Sequence, residues 1–231
     1  MKRFWTAATA TLGDHGWIVE LDGKPLRTPA RAVLELPTEK LARAVAAEWA
    51  EAGAVVDPRA MPLTGLANAA VDRIAPDPKA FAEGLAKYAE ADLACYRAEG
   101  PGKLVEEQSA AWDALLDLAR RRYDVDFEVT NGLAHVGQPQ ATVERLANEV
   151  HRLAAFELAA LSPLVTISGS LVAALAVVDG ALSAEDAWNA VSVDERWQIE
   201  QWGADPEAVA ALANRRRDFL AAARFLDLLK S

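Results

Sequence analysis

The stretch "AVLELPTEKLARAVAAEWAEAG", residues 32–53, carries the chain from one kind of structure into another. Its first five residues, "AVLEL", are a short, partly alternating apolar run that suits a half-buried strand. Pro37 then breaks the run, and Thr38 has the side chain of a helix N-cap. From Glu39 onward apolar residues recur at helical spacing until Gly53 stops them. Strands are therefore expected before this point and helices after it.

On the N-terminal side, "WIVEL" (17–21) and "KPLRT" (24–28) flank Asp22-Gly23. That pair suits a two-residue type I′ turn, in which both central residues need positive φ. "FWTAATATL" (4–12) and "AVLEL" add further runs, so three or four antiparallel strands form a small sheet. On the C-terminal side, "DPRAMPLTG" (57–65) is a proline-punctuated loop opening a helix near Thr64. Helices are expected over roughly 79–91, 103–122, 140–160, 163–179, 184–202 and 206–229. Ser162-Pro163 and Asp205-Pro206 both have the form of an N-cap with proline at the first helical position. Ser183 with Asp186 three residues on resembles a capping box. One interruption, "VDFEVTNGLAHVG" (125–137), places Asn131-Gly132 between alternating runs and predicts a second β-hairpin. The expected architecture is α+β, with a small antiparallel β domain over residues 1–60 and a larger all-α domain over 61–231, from which that hairpin is an excursion.

The bulk numbers bound the function. A chain of 231 residues with 52% hydrophobic and 25% charged residues has ample material for a soluble core. A formal net charge of −10 argues against nucleic acid, whose binders need a basic face for phosphates, and against anionic membranes. The longest apolar run, "LVAALAVV" (171–178), is too short to cross a bilayer, so no membrane insertion is expected. A single cysteine, Cys95, excludes an intramolecular disulfide and fits a reducing compartment. The opening "MKRFWTAATATL" lacks an apolar segment of signal-peptide length, which points to the cytoplasm.

Signals of chemistry are sparse. Neither G-x-x-x-x-G-K-[ST] nor G-x-G-x-x-G occurs, and "SGS" at 168–170 lies in an apolar helical stretch where close packing explains it. His15, His135 and His151 are not spaced as helical metal ligands. No cofactor or metal is expected. Paired carboxylates such as Asp194/Glu195, Glu106/Glu107 and Glu90/Asp92, set beside seven tryptophans, leave open a glycoside-type hydrolase.

One carboxylate stands out. If 184–202 is a single helix, Trp188, Val191, Ile199 and Trp202 share a narrow apolar stripe, and Glu195 falls in its middle. Trp197 points to the opposite side, giving the helix aromatic surface on two faces. Glutamate is almost never fully buried without a partner. Glu195 therefore meets a cation inside the fold (Arg97 or one of Arg215–Arg217), performs acid–base chemistry, or answers a cation on another protein.

Seven motifs in order complete the reading: "LDGKPLRTP" (21–29), "AAEWAEAG" (46–53), "MPLTGLANAAVD" (61–72), "ADLACYR" (91–97), "LVEEQSAAWDALL" (104–116), "SLVAALAV" (170–177) and "DERWQIEQWG" (194–203). Together they resemble the assembly chaperones for the F1 sector of ATP synthase that bind its α subunit. The resemblance implies a small β domain followed by a helical domain and a non-enzymatic role without nucleotide or metal. It further implies that the protein holds the free α subunit and shields the surface later offered to the β subunit. It links an acidic residue in "DERWQIEQWG" to that role, for which Glu195 is the nearest match and Glu200 the second. Trp188, Trp197, Ile199 and Trp202 would frame it. A bacterial, cytoplasmic protein, monomeric when free, is the implied form, with mitochondrial matrix relatives in eukaryotes.

Overall fold

The structure, a computed structural model, describes residues 2–132 and 134–230. The N-terminal sheet is built on the turn at Asp22-Gly23, where φ is 48° and 76°, the left-handed values this dipeptide tolerates. Strand β1 (Ala8–Leu12) pairs antiparallel with β2 (Trp17–Leu21), and the turn brings β3 (Lys24–Pro25) back against β2. Strand β4 (Glu35–Leu36) also pairs with β2, opposite Trp17 and Ile18. Asp22 does more than form the turn. Its carboxylate accepts from the Ala7 and Thr6 amides, which lower its pKa and tie the chain entering β1 to the turn.

Helix α1 (Glu39–Glu51) starts where the sequence marks it, with the Thr38 hydroxyl accepting from the Leu41 amide at 3.2 Å. Leu41, Ala42, Val45, Ala46 and Trp49 form its buried stripe, and Trp49 packs on Trp5 with ring centroids 5.0 Å apart. Helix α2 (Pro62–Ala69) begins at Pro62 and is capped from a distance. The Glu48 carboxylate accepts from the Leu63 and Thr64 amides, each at 2.8 Å, and from the Thr64 hydroxyl at 2.7 Å. A carboxylate there satisfies orphan donors and meets the positive end of the helix. Glu48→Ala is expected to lower unfolding free energy by about 1–3 kcal/mol in urea titration, because the amides it serves are part-buried.

Two compact units emerge. One comprises the chain up to Pro78, Ala154–Ala160 and the segment from Ala221; the other comprises Lys79–Leu153 and Leu161–Leu220. They do not divide at residue 60. The Glu48 cap binds the start of α2 to α1, and later segments return to the first unit by contacts with no local sequence signal. Phe156 stacks on Phe225, with centroids 6.3 Å apart and planes within 7°, and the Thr38 hydroxyl donates to the Leu228 carbonyl.

The second unit is helical: α3 (Pro78–Ala86, entering from Pro78), α4 (Gly102–Tyr123), α5 (Gln140–His151), most of α6 (Ala155–Ser168), α7 (Leu171–Val178), α8 (Ala184–Val191), α9 (Val193–Trp202) and the first part of α10 (Pro206–Leu229). Trp112, Leu115, Leu116 and Ala119 form the buried spine of α4, which lies against α7, α8 and α9. Helix α7 is buried through Leu171–Val177. The "SGS" turn is the corner leading into it, with Gly169 at φ 72° and the Ser170 hydroxyl accepting from the Ala173 amide. The buried Asp92 carboxylate accepts from the Val172 amide at 2.9 Å and the Ala94 amide at 3.0 Å. The serine-glycine cluster is thus a helix entrance, as packing predicts.

Three local expectations are corrected. The segment 125–137 is not a β-hairpin. Short strand β6 (Thr130–Asn131) pairs in parallel with β5 (Tyr96–Arg97), and the Gly132 amide donates to the Arg97 carbonyl; Leu133 lies outside the described residues. The Gln138 side chain closes the loop instead, giving and receiving a hydrogen bond with the backbone of Glu128. Pro163 does not start a helix but sits inside α6, whose boundaries fall at Ala155 and Ser168. Finally, the expected helix over 184–202 is two helices, broken at Ser192.

Candidate functional site

Ser192 decides the geometry around Glu195. It is buried at φ −104°, ψ 20°, and its hydroxyl donates back to the Trp188 carbonyl at 2.7 Å. Serine bonding back to the carbonyl four residues earlier competes with regular helix, and here α8 ends and α9 starts. The single stripe expected across both is therefore split. Trp188 and Val191 go into the core, Trp188 against Phe219 with centroids 5.6 Å apart. Trp197, expected on the side opposite that stripe, is buried beneath Lys103, whose Nζ lies 5.2 Å from the ring centre. Ile199 is half-buried, whereas Trp202 is 78% exposed.

Glu195 does not enter the core. Its side chain is 29% exposed and accepts from Arg215 of α10 at 2.8 Å; Arg215 also donates to the Ile167 carbonyl. Of the cations considered for Glu195, the fold selects Arg215. Arg97 is taken elsewhere. It is 5% exposed, donates to Asp113 at 2.7 Å and to the Gln108 carbonyl at 2.9 Å, and lies 5.1 Å from the Trp112 ring centre. Burial depresses its pKa, with Asp113 opposing that shift. Glu200 is exposed and 3.9 Å from Lys103, a weak surface pairing.

Helices α9 and α10 leave a groove of about 630 Å³ between them. From α9 it is lined by Glu195, Gln198, Ile199 and Trp202, spaced i, i+3, i+4, i+7. From α10 it is lined by Ala208, Ala211, Leu212 and Arg215, at the same spacing. The Glu195–Arg215 pair closes one end, and the loop Gly203–Asp205 closes the other. A second groove of about 550 Å³ lies on the other flank of α9, where Trp197 and Trp202 meet Arg97, Gln108 and Asp194. The C-terminal turn of α9 is a ridge with Gln198 and Trp202 facing both grooves.

The adjacent acids Asp194 and Glu195 diverge. Asp194 accepts from the buried Gln108 amide at 2.7 Å and lines the second groove, while Glu195 lines the first. Gln108 also accepts from the Ala98 amide at 2.7 Å, so one glutamine links Asp194 to the backbone beside Arg97. Local pattern does not predict this Asp194–Gln108–Arg97–Asp113 chain of polar contacts. Its only sequence signal is that Arg97, Gln108 and Asp194 each fall in a separate one of the seven motifs. Cys95 is buried, with its thiol pushed up to about 12 by burial and by the nearby Asp92, so it is inert at neutral pH. Among the described residues no group of three or more His, Cys, Asp or Glu side chains could hold a metal ion, and no helix is long and apolar enough to cross a membrane.

The fold defined by this small sheet and helical array is that of a chaperone with solved bacterial representatives. The structure matches Atp12 from Paracoccus denitrificans with a TM-score of 0.93 at 41% identity, covering 99% of this chain and 98% of the other. A solved protein from Agrobacterium tumefaciens, a putative chaperone, matches with a TM-score of 0.92 at 37% identity, covering 99% and 86%. The mitochondrial protein atp12 of Schizosaccharomyces pombe is 26% identical over 220 residues, 90% of this chain and 75% of the relative. The ATP12 chaperone protein family model matches residues 2–120. The chain belongs to the ATP12 chaperone family, the ATP synthase assembly chaperones that its sequence motifs resemble.

Proposed function

We propose that this protein binds the free α subunit of F1 and covers the surface that the α subunit later presents to the β subunit, without catalysing a reaction. The observation that carries the reading is the exposed ridge of α9. Trp202 stands 78% exposed beside half-buried Ile199, with an apolar-lined groove on either flank. Large exposed aromatic side chains among such grooves suit protein contact, in which tryptophan and arginine serve as anchors. Glu195, Glu200, Ile199 and Trp202 are the surface candidates for that contact. Trp188 and Trp197 act from beneath by fixing where α8 and α9 lie. Holding an unassembled subunit keeps its apolar assembly surface from aggregating. The divergence of Asp194 from Glu195 favours this reading over hydrolysis by that pair, which requires two carboxylates facing one substrate.

Co-expression with the α subunit of the same species tests the proposal. The α subunit is expected to stay soluble and to co-purify with the chain in the absence of β subunit. An α subunit that precipitates equally with and without the chain would overturn it.

A further inference from the structure

The first twelve residues of α10, "PEAVAALANRRR" (206–217), are unusual for a helix in a folded protein. All are exposed except half-buried Leu212, and burial resumes only at Phe219. A twelve-residue helix is marginal in water by itself. This one is continued from the buried segment beyond it and tied at Arg215 and Arg216 to Glu195 and Glu185. Yet it presents a small-residue apolar stripe across an open groove to a matching stripe of α9. Two such stripes would bury most area by closing to the usual interaxial distance of about 8–10 Å. Here bulky Trp202 and Leu212 line a groove that stays open. The arrangement is two sides of a three-helix packing with the third side missing.

Charge indicates what fits. At the loop end of the groove Asp205 lines the wall, its carboxylate accepting from the Glu207 amide at 3.3 Å, and Glu207 follows in the first turn of α10; neither has an ion-pair partner among the described residues. At the opposite end Glu195 stands beside Arg215 in a partly exposed ion pair. Between its ends the groove is apolar apart from Gln198, and it is anionic at the loop end.

We propose, on the basis of the chaperone reading above, that the α9–α10 groove seats one amphipathic α-helix of the client. The client helix lays an i, i+3, i+4, i+7 apolar face against Ile199, Trp202 and Leu212. At one end it directs a lysine or arginine to Asp205 and Glu207, where opposite charge fixes its direction and register.

The test compares two bulky substitutions on opposite faces of α10 in the full chain, with purified α subunit as the probe. Ala211→Trp fills the groove and is expected to weaken α-subunit binding at least tenfold, with the melting temperature kept. Ala213→Trp, on the outer face, is expected to leave binding within about twofold. Charge neutralisation at the loop end, Asp205→Asn with Glu207→Gln, keeps a capping acceptor at the start of α10, adds no bulk to the groove, and is expected to weaken binding by a similar factor to Ala211→Trp. A photo-crosslinker at Ala208 should capture α-subunit peptides from a single helix bearing a basic residue. If Ala211→Trp and the charge-neutralised chain bind like the unsubstituted chain, or if the crosslinker captures a second copy of the chain instead, the groove proposal is overturned while the chaperone reading stands. If the unsubstituted chain itself fails to bind α subunit, the chaperone reading falls, and the groove proposal with it.

Discussion

Glu195→Lys is expected to abolish capture of the α subunit while leaving the far-UV circular dichroism spectrum unchanged and the melting temperature within a few degrees. The fold gives the reason for both halves. Inside the molecule Glu195 makes one partly exposed ion pair with Arg215, and such pairs contribute about 0–1 kcal/mol. Removing it costs the free protein little, and the new lysine can turn outward to solvent. In a complex the same carboxylate would be desolvated at the closed end of the groove. Losing one member of a desolvated charge pair costs about 2–5 kcal/mol, roughly thirtyfold in affinity at the lower bound. A swapped chain, Glu195→Lys with Arg215→Glu, separates the roles. It rebuilds the internal pair but not an anion on α9, so binding is expected to stay lost. Recovery of binding in the swapped chain would show that Glu195 acts only by holding α9 and α10 together.

The largest effect on stability is expected at Asp92. Its side chain is fully buried at the entrance of α7, where it accepts from the Val172 and Ala94 amides. Asp92→Ala strands both donors out of reach of water. An unsatisfied buried donor costs about 1–3 kcal/mol, so a loss of about 2–5 kcal/mol is expected in urea unfolding. Asp92→Asn keeps one acceptor oxygen and should lose less. The pH dependence carries a sign. Burial raises the Asp92 pKa, opposed by the amides of Val172 and Ala94. The folded state therefore binds this proton more tightly than the unfolded state does. The resulting stabilisation is fully present below the ordinary carboxylate range and is lost as pH climbs through the raised folded value. The stability advantage of the unsubstituted chain over Asp92→Asn should accordingly shrink as pH rises. An advantage that grows with pH would mean that the amide bonds outweigh desolvation.

What could be read from the sequence followed the range of the interactions involved. Asp22-Gly23, Thr38 and Pro206 act within a few residues of themselves, and each turn or helix start appears where those residues place it. The α+β architecture followed from them. The break at Ser192 did not, because "VSVDERW" contains neither glycine nor proline and the break falls at a buried serine turning back to Trp188. Treating 184–202 as one helix puts Glu195 in an apolar stripe that does not exist. Glu195 is nevertheless distinctive, through Arg215 twenty residues away and the groove the pair closes. Asn131-Gly132 misleads in the opposite way. The dipeptide suits a hairpin, but Thr130–Asn131 finds a parallel partner at Tyr96–Arg97, and only the fold brings those segments together. The link from Asp194 through Gln108 to Arg97 spans three motifs for the same reason.

The proposed function stands or falls on whether this molecule occupies, on the unassembled α subunit, the surface destined for the β subunit. Order-of-addition binding with purified components decides it. Preformed complex of the chain with α subunit is titrated with β subunit while bound chain is followed by fluorescence anisotropy. A 1:1 complex is expected, from which β displaces the chain in proportion to the αβ formed. A stable ternary complex that retains the chain, or no complex of the chain with the α subunit at any concentration, would contradict it.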